Sequence, residues 1–374
     1  MTAVSPKRIA LLSTFHPYRG GIAQFGARLY RELEGAGHEV RAWNFKRQYP
    51  SVLFPGKTQL VPERDLADAI PNDRTLDSIG PLSWIKTGNA IQAWEPDVLV
   101  MKYWMPFLAP ALGTAARRVK SARKVVSLDN VTPHEPRPGD RQLNRYFLNS
   151  CDAFLAMSQA VADDVKDFRP NAPLEVQPHP VYDQFAPAPS KAAACQQLGL
   201  DPELPVFLFF GFIRDYKGLD VLLEATAQLE RPVQVLIAGE AYGAFDRYHA
   251  LIDAHPHKAH IHLHSRYIAD AEVPPFFGAA DACVLPYRSA TQSGIAAIAL
   301  QLGTPMISTR VGGLHEYIAD GVDGMLVPAA DPGALAGAMR TYLDQELSAS
   351  FREALVAKRE AFSWRAYCDR LLSL

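Results

Sequence analysis

What most constrains this chain is a repeated alternation: a short apolar run, a loop of small or polar residues, then a pattern with apolar residues three and four apart. Such runs occupy residues 8–14, 97–101, 124–128 and 153–157, and again 206–210, 233–238, 282–286 and 306–309, with an alternating strand at 261–264. Strands that are apolar throughout are those buried on both faces of a parallel sheet, because crossover helices cover both sides. Two such series, separated by a proline-rich segment, predict an α/β chain rather than a helical bundle or a sandwich.

At 374 residues the chain exceeds what one core usually supports, so two domains are expected. The segment 170–189 holds six prolines and reads as the connection between them. The expected division is a first domain over residues 1–185 and a second over 186–350. A helical segment over 351–374, with Trp364, Tyr367 and Leu371 on one side, then packs back toward the first domain. Residues 44–90 read as irregular and proline-rich.

The net charge of −2 conceals a first half at +4 and a second at −6. That is too mild for a nucleic-acid binder, though it leaves room for a local basic surface on the first half. The four cysteines are scattered, with no C-x-x-C pair, so neither a zinc site nor a disulfide scaffold is expected. The first apolar run is too short for a signal peptide, and no stretch approaches the ~18 apolar residues of a transmembrane helix. A cytoplasmic location is expected.

Three loops at strand ends can receive an anion. Between the strand 282–286 and the next helix lies the loop 289–294, Ser-Ala-Thr-Gln-Ser-Gly, where the amides of Ser293, Gly294 and Ile295 open a helix whose dipole favours negative charge. The pair Gly20-Gly21 opens a helix marked by Ile22, Phe25, Leu29 and Leu33, without the G-x-G-x-x-G of a dinucleotide site. The run from Gly211 to Gly218 places Arg214 and Lys217 after a buried strand, a fork and a point charge suited to a diphosphate. A plain strand-to-helix turn and a solvated basic turn explain the same residues, and the sequence alone leaves both readings open. His260, His262 and His264 alternate with apolar residues as one solvent face of a strand, and no metal site is expected there.

Taken in order, these pieces resemble the retaining, nucleotide-sugar-dependent glycosyltransferases of family 4. The resemblance covers nearly the whole chain. It rests on Gly20-Gly21, Gly211 with Lys217-Gly218, Ala238-Gly239-Glu240, Gly303-Thr304-Pro305, Val311-Gly312-Gly313 with Glu316, and Asp320-Gly321 with Gly324. It implies the GT-B fold, two Rossmann-like doubly wound domains facing a central cleft, with a C-terminal bracing helix. It implies that Lys217 contacts the donor diphosphate and that the Gly20-Gly21 loop approaches from the other domain. The family commonly carries two glutamates at the positions held here by Ala290 and Ile298. The chain is similar to a branch with Ser-Ala-Thr-Gln-Ser-Gly instead, in which Thr291, Gln292, Ser293 and Gly294 would supply neutral donors.

No Asp-x-Asp occurs, so Arg214, Lys217 and the helix amino terminus are expected to stabilise the leaving diphosphate without metal. Asp129 or His134, after the strand where the family often has a histidine, would orient or deprotonate the acceptor hydroxyl. No cofactor is implied beyond a UDP- or GDP-linked sugar as co-substrate. The expected acceptor is a glycan or lipid-linked molecule used in cell-surface polysaccharide or glycolipid synthesis. The aromatic and basic segments 46–57, 84–86, 103–107 and 117–124 suit peripheral contact with the inner face of a membrane, or equally a core and a solvated helix. Rival readings are a catalytically silent scaffold on this fold, motivated by the missing glutamates, and a sugar-nucleotide epimerase or phosphorylase.

Overall fold

A computed structural model describes residues 5–50, 59–61, 69–133, 137–181, 185–241, 245–290 and 293–374. The chain divides into two compact units, residues 1–177 with 364–374, and residues 178–363.

The first unit is a seven-stranded parallel sheet in the order β3-β2-β1-β4-β5-β6-β7. Its strands are β1 (Arg8–Leu12), β2 (Glu39–Arg47), β3 (Asp73–Asp77), β4 (Val98–Tyr103), β5 (Arg123–Leu128), β6 (Ala153–Ala156) and β7 (Leu174–Val176). The second is a six-stranded parallel sheet in the order β10-β9-β8-β11-β12-β13. It comprises β8 (Val206–Phe210), β9 (Gln234–Ala238), β10 (Ile261–His264), β11 (Ala282–Leu285), β12 (Met306–Thr309) and β13 (Gly324–Val327). Both are doubly wound, with the strand order reversing between β1 and β4 in one unit and between β8 and β11 in the other. In such sheets the helices on the two sides of the reversal diverge, leaving a crevice at the carboxyl ends of those strands.

Each sheet buries both faces. In the first unit Ile9 and Leu11 of β1 point into one apolar cluster and Ala10 and Leu12 into the other, the period-two consequence of a pleated strand. Ser158 and Asp331 cap their helices, accepting from the N–H of Val161 at 3.3 Å and of Ala334 at 2.8 Å.

Several expectations are corrected. The stretch 44–90 contains the strand β3 and the helix Pro81–Ala93. Asp-Arg-Thr-Leu-Asp shows no apolar run because β3 is an edge strand with one core residue, Leu76. Arg41 and Arg47 of β2 pair across to Asp73 (2.9 Å) and Asp77 (2.5 Å). The strand read as ending at 101 continues through Lys102 to Tyr103. The histidine face of β10 is half-buried rather than solvent-facing: burial lowers the pKa of His262 and His264, and His264 meets the edge of Phe276 at 5.2 Å.

The units divide at 177/178 rather than 185/186, because β7 pairs with β6 and keeps the proline-rich segment's first part in the first sheet. The end of the chain is two helices. Ser348–Ala361 packs Phe351 and Leu355 into the second unit, and Trp364–Ser373 returns to the first. There Trp364 and Tyr367 sit 5.0 and 5.5 Å from the Phe25 ring.

Candidate functional site

The site of the second unit is built where β8 and β11 end. β8 is Val-Phe-Leu-Phe-Phe, fully buried, and stops at Gly211, whose N–H donates to Ala238 O at 2.9 Å. β9 stops at Gly239, and a Cβ there would lie 2.1 Å from Gly211 O, so the two strand ends approach as only glycine permits. The chain then makes one short turn, Asp215–Lys217, and enters the helix Leu219–Thr226 through Gly218 at φ +69°. A side chain on Gly218 would begin 2.0 Å from Pro286 O, so this turn rests directly on the end of β11.

That contact is what submerges Lys217. Its side chain runs back under the turn, leaving the residue 8% exposed, with Nζ 5.2 Å from the centre of the Tyr287 ring. Burial pushes its pKa down to about 8; the Cys283 thiol works against the fall and the positive Arg214 adds to it. An ammonium held in a place that disfavours its charge gains more from an arriving anion than an exposed one would. Lys217 and Gly211 line a solvent-open pocket with about 520 Å³ of empty space, together with Glu240, Tyr267 and Ile295. Glu240 and Tyr267 were not singled out as site residues. Nothing marks Tyr267, which is exposed and lies in a short connection after β10.

Arg214 is exposed at the head of the turn. A second arginine, Arg288, was missed. It forks onto Asp220 at 3.0 and 2.7 Å, donates to Asp215 O at 2.6 Å, and gives its own N–H to Tyr216 O at 2.7 Å. It ties the segment after β11 to the lysine turn. Its position immediately after an apolar strand and a Pro-Tyr was the available signal.

On the β11 side, Tyr287 is buried and its hydroxyl, raised in pKa by that burial, lies 3.5 Å from Ser293 Oγ. Ser293 caps the helix Gly294–Gln301 by accepting from Ala296 N at 3.3 Å. Its oxygen therefore serves first to start the helix, where sequence reading offered it to a donor. Gly294 is exposed at the first helical position, and Ile295 reaches the pocket. Ile298 packs against the core beside Leu302. Thr291 and Gln292 lie outside the described residues. Glu316 is half-buried in the turn Gly312–Tyr317 after β12, and is not among the pocket residues named above.

In the first unit Gly20, at φ +105°, begins the helix Gly21–Gly35, and its carbonyl accepts from Ala23 N at 3.0 Å and Gln24 N at 3.2 Å. Both glycines are exposed, at the strand-order reversal beside β1. Asp129 follows β5, its N–H donating to Tyr103 O at 2.9 Å and its Oδ1 lying 2.7 Å from the Lys102 ammonium. His134 lies outside the described residues. Among the described residues no group of three or more His, Cys, Asp or Glu could hold a metal ion, and no helix is long and apolar enough to cross a membrane.

Two doubly wound, Rossmann-like units of this kind in one chain are the architecture of the GT-B class. Structures of that class superpose over nearly the whole chain. A glycosyltransferase from Rickettsia africae matches with TM-score 0.73 at 17% identity, covering 99% of this chain and 98% of that one. HepE of Anabaena, in complex with UDP, gives 0.72 at 19%, covering 98% and 100%. The sucrose-phosphate synthase of Thermosynechococcus elongatus gives 0.69 at 20%, covering 98% of each.

Residues 19–185 match the family model described as Glycosyltransferase Family 4, and residues 204–345 the model described as Glycosyl transferases group 1. Together the two models cover most of the chain, which is similar to the glycosyltransferases they describe. Among curated relatives, the D-inositol 3-phosphate glycosyltransferase of Segniliparus rotundus is 30% identical over 75% of this chain and 66% of its own length. That of Catenulispora acidiphila is 33% identical over 62% and 58%. The matched region thus spans less than two thirds of these relatives.

Proposed function

We propose that the chain is a retaining glycosyltransferase that moves a sugar from a UDP- or GDP-linked donor to a hydroxyl of a glycan or lipid-linked acceptor, in cell-surface polysaccharide or glycolipid synthesis. The observation that carries this is the submerged Lys217 at the reversal between β8 and β11, open to a pocket on one side. A donor diphosphate seated there takes up the lysine's charge, with Arg214 beside it. As the bond from the anomeric carbon to the diphosphate breaks, its electron pair passes to the diphosphate and the growing negative charge meets cations already in place. The acceptor oxygen forms the new bond to the anomeric carbon, and its proton passes to the departing diphosphate oxygen. A neighbour bound to UDP-glucose supports the class of donor, and relatives named as D-inositol 3-phosphate glycosyltransferases support sugar transfer. Since Arg214 and Lys217 supply the positive charge, the reading needs no metal and no further cofactor.

Thermal melting with UDP, GDP and ADP tests the donor. A ligand at a hundred times its Kd stabilises by about 2.7 kcal/mol, an easily measured rise. The expected result is a rise with UDP or GDP that is lost in Lys217→Met, and UDP release from UDP-glucose that EDTA leaves unchanged. No rise with any of the three nucleotides overturns the reading. The silent-scaffold alternative is favoured by Ile298, whose packing against the core leaves no carboxylate at that position. Donor turnover above background excludes it.

The acceptor side of this proposal includes an anionic lipid surface. The helices Pro81–Ala93 and Ala109–Arg118 contain no Asp or Glu, and their layer exposes Lys86, Arg117, Arg118 and Lys120. Ile79, Leu82 and Ile85 are exposed alongside, Leu82 at 75%. Exposed apolar side chains in a layer whose helices carry basic and no acidic residues suit the interface of an anionic bilayer. Flotation with phosphatidylglycerol-containing vesicles, but not pure phosphatidylcholine, is expected, and Leu82→Ser with Lys86→Glu should abolish it. Equal flotation with both lipids, or none, rejects this surface.

A further inference from the structure

Lys102 is a lysine in the middle of a sheet. It is the fifth residue of β4, Val-Leu-Val-Met-Lys-Tyr, a strand buried throughout and flanked by β1 and β5. Its ammonium makes a full set of contacts: Asp129 Oδ1 at 2.7 Å, Ser127 Oγ at 3.0 Å and Met157 Sδ at 3.4 Å, with the face of Phe25 at 3.8 Å. Ser127 Oγ in turn shares a hydrogen bond of 2.7 Å with the Tyr367 hydroxyl, from the helix Trp364–Ser373. Burial lowers the pKa of Lys102, and Asp129 opposes that fall.

An ion pair inside a sheet is a poor way to gain stability, because apolar residues of the same volume usually serve as well. This pair also has a direction. The Lys102 side chain is 4% exposed and that of Asp129 is 16% exposed, so the carboxylate is the outer end of a row that begins in the core. It emerges just after β5, next to β4, at the carboxyl edge of the sheet where open α/β units bind ligands.

We infer that Lys102 is a positioning residue for Asp129. It fixes that carboxylate at the carboxyl end of β5, where the carboxylate accepts a hydrogen bond from the acceptor hydroxyl and so orients its oxygen. Ser127 and Tyr367 hold the ammonium from behind, so the last helix of the chain takes part in the placement. This deepens the glycosyltransferase reading above and rests on it.

The test uses Lys102→Met, Asp129→Asn and the double variant in the full chain. Three quantities are measured: melting temperature, the UDP-induced rise in melting, and UDP release from UDP-glucose with water and with D-inositol 3-phosphate offered as acceptors. Each single change leaves one partner of the row uncompensated, so both melt lower than wild type; the double variant, with no charge left in the row, recovers. All three keep the UDP-induced rise and an unchanged KM for UDP-glucose, while kcat falls on the order of 100-fold, the usual consequence of a misplaced reacting group. A double variant that recovers both melting and turnover shows the pair to be structural and overturns the inference alone. A wild-type protein with neither a UDP-induced rise nor turnover overturns the glycosyltransferase reading and this inference with it.

Discussion

Replacing Lys217 by Met should make the empty protein more stable and the donor site useless, and the size of both effects follows from burial. The lysine's pKa falls from its ordinary 10.5 to about 8 on folding. At about 1.4 kcal/mol per pH unit, that difference corresponds to about 3 kcal/mol of folding free energy. The sign is unfavourable. Below pH 8 the lysine is protonated in both states and the folded protein carries the whole penalty. Between about pH 8 and 10.5 the unfolded chain still holds a proton that the folded chain has released, so stability rises with pH across this window as the penalty is relieved. Met keeps the length of the buried stem without the charge.

Urea denaturation of both proteins at pH 7 should therefore show Lys217→Met more stable by up to about 3 kcal/mol, with the difference shrinking steadily above pH 8. The difference between the two proteins isolates this group from others that titrate in the same range. Donor binding reverses the logic: a diphosphate restores the charge, so UDP affinity should be flat below pH 8 and weaken above it. A variant less stable than wild type at pH 7, a gap that does not change between pH 7 and 10, or an undiminished response to UDP would each refute the placement of this ammonium.

Other perturbations probe the scaffold. Gly218→Ala drives a Cβ to within 2.0 Å of the Pro286 carbonyl and should lower stability by about 3 kcal/mol in urea denaturation, with loss of the UDP response. Ser293→Ala removes a helix cap and should cost about 1 kcal/mol; retention of the UDP response would place its hydroxyl in the helix rather than on the donor. Tyr367→Phe deletes the bond to Ser127 and should cost about 1 kcal/mol, with unchanged UDP binding, since Tyr367 belongs to the first unit.

The fold was largely legible because buried parallel strands announce themselves. Val206–Phe210 is an apolar run, Met306–Thr309 is mostly apolar or β-branched, and Ile261–His264 alternates apolar residues with histidine; all three begin and end where the pattern does. Asp73–Asp77 hid because an edge strand needs only one core side chain, and its ion-pair partners lie on another strand. Lys217 could be read as a candidate because it stands in a glycine-bounded turn after an apolar strand. That it is buried could not be read, since this depends on Gly218 resting against Pro286, a contact across the β8–β11 boundary. Lys102 failed differently. A charge at the end of an apolar run reads as the end of the strand, and only Asp129, from the neighbouring strand's end, makes its burial tolerable. Ser293 shows the converse: its helix cap is a local property that a serine before a helical pattern carries in the sequence.

The return of the helix Trp364–Ser373 has a consequence for synthesis. Trp364, Tyr367, Cys368 and Leu371 complete the apolar face of the first unit, the side that holds Ile9, Leu11 and Phe25. The second unit, residues 178–363, is topologically an insertion in the first. A ribosome therefore delivers all the residues of the inserted unit before the residues that seal its host. Until Trp364–Ser373 is made, the apolar residues it covers beside Phe25 lack that part of their packing, and an incompletely packed unit is more exposed to misassembly.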